Sequence, residues 1–535
     1  MTTAVPADAG GHKQTSVPRK ATAREWWGLV VLLLPTVLLA LDMTILHLAV
    51  PHLSADLRPS SAQLLWILDI YGFMIAGFLI TMGTLGDRIG RRRLLLCGAA
   101  AFGAASVLAA FSTSAEMLIA TRALLGVAGA TLMPSTLSLI RNMFQLEQER
   151  TLAITVWMTG FLVGSAIGPL VGGAILEFYW WGAAFLIGVP VMLVLLIAGP
   201  LLLPEFRDEQ AGRLDFPSAL LCIASLLAVM YGLKDMARNG VDLLPVLAIM
   251  AGFGVGLLFV RRQRRLADPM FDLALFANRG FSTAVGALLL TILALSGAWF
   301  MVFQYLQGVT GLSPLQAGLV MVPPALVQVF AAFLVPPLAR RIAPARLIPA
   351  GLLLAVPGFL IMTQVDGPDS ALFLMLGTLV MGIGIMPMMI LGTDLVVSSA
   401  PGEKAGAASA TSETATELGM ALGIAVIGSV AAAVYRRVLG NELAVDLPPD
   451  LAIAAVDTLG GALAAADELQ GIAGAQLLAS AQYAFSVALH VNAAIGAGIL
   501  LFTALLTAVL FRHLPAAGAI QNAESAEPPV ADKVT

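Results

Sequence analysis

Long apolar runs, broken by short clusters of charge and proline, dominate the chain. A helix needs about 20 apolar residues to cross a bilayer. Fourteen stretches qualify: 26–49, 62–85, 94–111, 117–140, 151–176, 183–203, 216–233, 243–261, 281–307, 314–338, 346–364, 371–397, 406–433 and 482–511. The runs are continuous instead of alternating, which predicts α-helices and excludes the strands of a barrel. The first run follows a basic leader (Lys13, Arg19, Lys20, Arg24) but is too long for the core of a signal peptide, so it reads as the first span.

Composition agrees with the pattern. Hydrophobic residues make up 59% of the 535 and charged residues only 12%, against about 25% charged in soluble domains. The two cysteines, Cys97 and Cys222, both fall in apolar segments, which excludes a disulfide framework or a Cys-rich metal site. Lys and Arg set the orientation. With the N-terminus inside, Arg58, Lys234, Arg238, Arg436 and Arg437 fall outside and Arg122 within a span, while the rest of the 29 basic residues are cytoplasmic. An even number of spans returns the C-terminus to the same side. The expectation is a multi-pass protein of the cell inner or plasma membrane with both termini cytoplasmic. Short basic blocks at span ends read as topology anchors, so nucleic acid is not an expected partner.

The string LGDRIGRRRLL at 85–95 is matched in part by LARRIAPARLI at 338–348. Both follow the second span of a group of six. That predicts an all-α membrane fold of two six-helix bundles, 26–203 and 281–511. Two inserted helices occupy a linker at 204–280. Residues 1–25 form an N-terminal tail, 437–481 an external, Ala-rich loop that is partly helical, and 512–535 a disordered tail. Transporters built from repeats place the substrate near the midplane between their halves.

An ionisable residue deep in a span is costly unless it pairs or faces water, so each is a functional candidate. Asp42, Asp69 and Arg122 lie at similar depth in the outer half of the first bundle, Asp42 roughly 10 Å in. An interaction of Asp42 with Arg122 is expected, with Asp69 beside them. Glu413 and Glu417 are spaced i, i+4 on one helix face, about 12 and 18 Å from its inner end. Two carboxylates so close in low dielectric do not both ionise easily, the property of a site that exchanges protons for cations. Asp215, Asp272 and Glu177 fall at span ends and read as boundary residues. Trp66, Tyr71, Met74, Trp157, Phe161, Trp299, Phe303 and Tyr305 are candidates to line a cavity, because aromatic faces attract quaternary ammonium groups and Met adapts to many shapes. Gly164, Gly168, Pro169 and Gly172, with Gly160, form a small-residue stripe suited to close helix packing. His47, five residues after Asp42, has no assigned role.

GTLGDRIGRRR at 83–93 has glycines for sharp turns and close approach at Gly83, Gly86 and Gly90. Its Asp87 is placed to accept from a helix N-terminus or to pair with Arg88 or Arg91 as a breakable latch. This string resembles the signature loop of the major facilitator superfamily. RALLGVAGA at 122–130 resembles that superfamily's fourth-helix motif, GSAIGPLVGG at 164–173 its antiporter fifth-helix motif, and LDMTILHLAVP at 41–51 the first-helix motif of the fourteen-helix drug:proton antiporters. WILDIYGFMIAGF at 66–78, LMPSTLSLIRNMF at 132–144, ADPMFDLALF at 267–276 and AGAASATSETATELG at 405–419 resemble the antiseptic and dye efflux pumps of the QacA, LfrA and SmvA group. Two positions depart: His47 stands where many relatives have Asn, and Gln328 where the dication-handling pumps can carry an acid, which counts against export of divalent cations.

The resemblance implies a proton-coupled antiporter, working as a monomer, that exports small lipophilic cations, with protons as the coupling ion and no other cofactor or metal. It implies coupling roles for Asp42, Asp69, Arg122, Glu413 and Glu417, a gating loop of Gly83, Asp87, Arg88, Gly90 and Arg91, and a helix-bending role for the fifth-helix stripe. No GxxxxGK[ST] run points to ATP use, and no catalytic constellation points to an enzyme. A rival on the same fold is an exporter of an endogenous metabolite or antibiotic. Acids in both halves argue against a passive channel.

Overall fold

The computed structural model describes residues 20–207, 215–240, 242–266, 269, 272–400, 405–442, 448–469 and 471–512. The N-terminal tail to residue 19, the C-terminal tail from 513, and His12 and His513 lie outside them. The described residues form helices and no strand. In chain order these are α1 (Ala23–Leu57), α2 (Ser61–Ile89), α3 (Arg91–Ala110), α4 (Ala115–Met143), α5 (Glu147–Phe178), α6 (Ala183–Leu186), α7 (Gly188–Leu202), α8 (Phe216–Asn239) and α9 (Leu243–Gln263). There follow α10 (Arg279–Gly308), α11 (Pro314–Ala339), α12 (Pro344–Met362), α13 (Ala371–Ser398), α14 (Ala405–Leu422), α15 (Gly428–Glu442), α16 (Pro449–Asp457), α17 (Leu459–Leu469) and α18 (Gly471–Leu510). Among the described residues 14 helical segments are long and apolar enough to cross a membrane.

Local chemistry sets many of the ends. Thr22, Ser60 and Ser313 form capping boxes with Glu25, Gln63 and Gln316, so α1, α2 and α11 start where a hydroxyl accepts from the third-position backbone N–H. α2 ends at Gly90, whose φ of 113° is open to glycine. The corresponding turn of the second half places Ala343 at an ordinary φ of −58°, so the repeat preserves the turn's position and not its geometry. Two segments outrun their hydropathy. α1 continues through Pro51 to Leu57, and residues read as the external loop 437–481 belong mainly to α15, α16, α17 and the start of α18. Alanine-rich sequence favours helix even where it is not apolar enough to signal a span.

Call the side bearing the loops at 90, 264 and 340 the basic face. The halves cross along two seams, α2 against α14 and α5 against α11. On the opposite face they are tied together. Gln307 of α10 donates to the Leu48 carbonyl at 2.9 Å, Arg436 of α15 to Ser61 Oγ at 2.6 Å, and the Leu315 amide of α11 to Glu177 at 3.5 Å. α17 lies over α1 there, with Gly460 against Ser54 and the Pro51 carbonyl. At the basic face the corresponding links stay within one half: Arg91 to Asp87, Arg92 to Glu205, Asn278 to the Ser399 carbonyl. The polar links named here thus cross between the halves on the opposite face and stay within one half at the basic face.

The inserted hairpin is not peripheral. α8 pairs with α9 and also lies on α2, on α15 and on the π-helical turn Gly423–Ile427 that joins α14 to α15. Phe73 of α2, Met230 of α8 and Ala421 and Ala425 of the thirteenth span form a small buried cluster where these elements meet. α8 therefore covers one seam. Its first turn is capped by Asp215, which accepts from the Ser218 amide and hydroxyl and from Arg262 of α9 at 2.8 Å. Burial works to raise the Asp215 carboxyl, but the hydrogen bonds from Ser218 and Arg262 outweigh it and hold it below its ordinary value. The cap is complete above the ordinary carboxylate range and is lost only as pH falls through the lowered folded-state value. Asp215→Ala is expected to remove about 1 kcal/mol from that turn. Amide exchange at the start of α8 should then speed several-fold at neutral pH; unchanged exchange would deny the cap.

In α5 the stripe does two jobs. Gly160, Gly164, Gly168 and Gly172 face Leu33, Val37, Thr44 and Ile45 of α1. The Pro169 carbonyl meets Gly318 of α11, and Gly173 meets Pro314 and Leu315. One helix is thereby held by both halves. A Cβ at Gly164 would stand 2.8 Å from the Val37 carbonyl oxygen and 3.0 Å from the Ala40 methyl, and backbone cannot yield as a side chain does. Gly164→Val is expected to cost about 1–3 kcal/mol, measured as a lower Tm in detergent. Gly254→Val in α9, where a Cβ meets open space, is the control expected near wild type. Equal melting of the two variants would contradict the packing argument.

Candidate functional site

Asp42 and Arg122 are paired as their depths suggest. Arg122 Nη1 donates to Asp42 Oδ2 at 2.9 Å, with the guanidinium almost fully buried and the carboxylate 13% exposed. Its Nε donates to the Ile67 carbonyl at 3.2 Å, and its Cζ lies 4.5 Å from the centre of the Tyr71 ring. The guanidinium ties α4 to both α1 and α2, a planar fork that Lys could not reproduce.

Asp69 does not complete that pair. Its Oδ2 lies 2.7 Å from Nζ of Lys234 in α8, and the two side chains are 0% and 1% exposed. Lys234 also sits 3.6 Å from the centre of the Trp66 ring. This corrects the placement of Lys234 as an external basic residue. α8 runs on past residue 233 to Asn239, so Lys234 lies more than a turn inside the helix. A lone lysine at the edge of an apolar run reads as a loop anchor. The signal that could have found it is the short length of the 216–233 run, which needs a further turn to cross a bilayer.

Glu417 is buried in α14 and Glu413 is half-buried one turn earlier. A Cβ on Gly72 would stand 3.3 Å from the Ala421 methyl and 3.7 Å from the Glu417 carbonyl oxygen, so Glu417 lies on the α2–α14 seam one turn from Asp69. Glu417 Oε2, Tyr71 Oη, His47 Nδ1, Trp157 Nε1 and Gln328 Nε2 are buried and make no hydrogen bond among the described residues. Unsatisfied buried polar atoms are costly and uncommon, and they are grouped here on helices that line the two seams.

The candidate aromatic residues divide. Trp66 and Tyr71 lie against Lys234 and Arg122. Met74 packs near Gly126 of α4, Phe161 is half-buried on α5, and Trp299 stacks on Phe303 with centroids 5.5 Å apart. Tyr305 is fully buried, and its hydroxyl is engaged by Ser486 at 3.2 Å and the Gly367 carbonyl at 3.3 Å. Its edge lies near Phe485 of α18. Tyr305 is thus packing inside the second half instead of cavity wall, because α10 turns that face towards α18.

In the gating loop Asp87 pairs with Arg91 at 2.6 Å, and Arg91 Nη1 reaches the Pro134 carbonyl of α4 at 3.4 Å. Arg88 is exposed and takes no part in the latch. Gly83 lies near Pro134, and Gly90 abuts the carboxyl of Glu205. Glu205 was not legible as a partner from sequence. It accepts from the Arg92 amide at 3.1 Å and sits 3.6 and 3.7 Å from the Arg92 and Arg93 side chains. It supplies the acid that α3, beginning with three arginines, lacks at its N-terminus. Among the described residues no group of His, Cys, Asp and Glu is placed to hold a metal ion.

The described geometry has counterparts among known proteins. The family model for the Major Facilitator Superfamily matches residues 32–424. The chain is 43% identical to the multidrug efflux pump LfrA of Mycolicibacterium smegmatis over 92% of its own length and 98% of that protein. It is 35% identical to the methyl viologen resistance protein SmvA of Salmonella typhimurium, covering 86% and 93% of the two chains. Its fold matches the crystal structure of a bacterial homolog of the human lysosomal transporter Spinster with a TM-score of 0.64, at 17% identity, over 92% of this chain and 99% of that one. The chain is a multi-pass membrane transporter of the drug-efflux kind and belongs to the major facilitator superfamily.

Proposed function

We propose that the protein exports lipophilic cationic drugs, dyes and quaternary ammonium antiseptics in exchange for protons, by alternating access between its two six-helix halves. It works as a monomer in the cell's inner or plasma membrane, with the basic face and both termini cytoplasmic. The observation that carries this reading is the set of acids held along the α2–α14 seam and beside it, Asp42, Asp69, Glu413 and Glu417, between two halves linked by polar ties on the face opposite the basic one. Charge in low dielectric must be paired or neutralised, so each acid is poised to exchange a bound proton for a cation or a basic side chain.

In the described state a cation approaches from the basic face. Glu413, the more exposed of the two glutamates, meets it first, and Glu417 stands one turn deeper. Binding displaces a proton. The halves then rock about α5, which grips α1 and α11 at once. The basic face closes as the ties through Gln307, Arg436 and Glu177 release on the other, while the Asp87–Arg91 pair keeps the α2–α3 loop ordered within its own half. External protons reload the carboxylates. The membrane potential contributes about 2.3 kcal/mol per charge per 100 mV.

The test is transport in liposomes with an imposed inward-directed pH gradient, using ethidium and a quaternary ammonium ion. Asp42→Asn, Asp69→Asn and Glu413→Gln are each expected to slow dye movement by about tenfold or more, equivalent to ~1.4 kcal/mol, with Tm preserved for Glu413→Gln. Wild-type rates in all three variants would overturn the carboxylate mechanism. A wild-type protein that moves no organic cation would favour an endogenous metabolite or antibiotic as cargo.

A further inference from the structure

We propose that Lys234 is a tethered resident cation, occupying a site made by Asp69 and Trp66 that cargo cations compete for. Three observations carry this. The ammonium is held by a carboxylate at 2.7 Å and an aromatic face at 3.6 Å, the two groups that recognise organic ammonium ions by charge and by cation–π attraction. Both partners are almost wholly buried, so the contact is a charge pair in low dielectric, and the charge and cation–π parts of its attraction need no N–H donor. A quaternary ammonium, which has none, can replace it. Finally, Lys234 comes from the inserted hairpin and not from either half. α8 packs on α2 of one half and on α15 and the π-helical turn of the other, so whatever releases Lys234 also loosens a helix covering the seam.

The energetics favour such an exchange. Removing one partner from a buried pair leaves an uncompensated charge at heavy cost, so Asp69 is never left alone: it holds Lys234, a proton or cargo. The ligand class is a monovalent organic cation with an ammonium or quaternary ammonium head small enough to fit between a carboxylate and one indole face. After cargo leaves, Lys234 returns and prevents rebinding. This role rests on the cation-export reading above and adds to it the means by which cargo is released.

Cation binding to the purified full-length protein, measured with tetramethylrosamine fluorescence at mildly alkaline pH, tests it. Lys234→Met is expected to bind the dye about tenfold more tightly, ~1.4 kcal/mol, yet to turn over more slowly in liposomes. Adding Asp69→Asn should abolish the gain. Equal or weaker binding by Lys234→Met, in a variant that melts like wild type, would overturn the proposal. If that variant fails to fold, the wild-type protein still decides. Bound benzyltrimethylammonium should increase acylation of Lys234 by a small membrane-permeant amine-reactive reagent, read by mass spectrometry, because the displaced ammonium leaves its cage. Labelling that is unchanged or reduced under saturating ligand would overturn it. A wild-type protein that binds no organic cation at all fails the export reading instead, which separates the two.

Discussion

A charge in hydrocarbon must have a partner, and the architecture of this transporter follows from how each buried charge obtains one. Arg122 takes Asp42 and the Ile67 carbonyl, which fixes three helices of the first half against one another. Asp69 takes Lys234, which fixes the inserted hairpin onto the same half. Among the described residues no Lys or Arg pairs with Glu413 or Glu417, and Glu417 Oε2 is buried without a hydrogen bond. The first half therefore holds settled charges, and the α2–α14 seam holds unsettled ones. In the proposed exchange the unsettled acids take a proton or cation without first breaking a bond within the protein, whereas cargo at Asp69 must first displace Lys234.

The helix packing serves the same arrangement. Glycines let α5 approach α1 closely enough for backbone contact, while the Pro169 carbonyl touches α11 across the second seam. α5 can then act as a pivot shared by both halves. On the opposite face, polar and directional ties run through Gln307, Arg436 and Glu177, bonds that the proposed rocking would exchange for water. A greasy seal of the same area would not open so readily. On the basic face, the Asp87–Arg91 pair and Glu205 order the α2–α3 loop from within its own half.

Much of this was legible in the sequence, and what was not has identifiable causes. Continuous apolar runs show helices because lipid leaves few alternatives for the backbone. The Asp42–Arg122 pair followed from matching depths, since helical rise is fixed. Lys234 was missed because hydropathy sees a charge at the end of a run and cannot tell a helix that stops there from one that continues. Glu205 was missed because its partners lie over a hundred residues away across a bundle, and spacing carries no information about tertiary return. Tyr305 was misread because abundance of aromatic residues says nothing of which way a helix is rotated. The external segment was read as only partly helical, because alanine is helical without being strongly apolar.

The claim on which the rest turns is that organic cations and protons compete for the same buried carboxylates. Proton release on cation binding measures this directly: purified protein in weakly buffered detergent, a soluble pH indicator, and stepwise tetraphenylphosphonium. Antiport through these acids predicts release of protons in step with cation uptake, reduced in a Glu413→Gln, Glu417→Gln double variant. Saturable cation uptake with no proton released at any pH would contradict it.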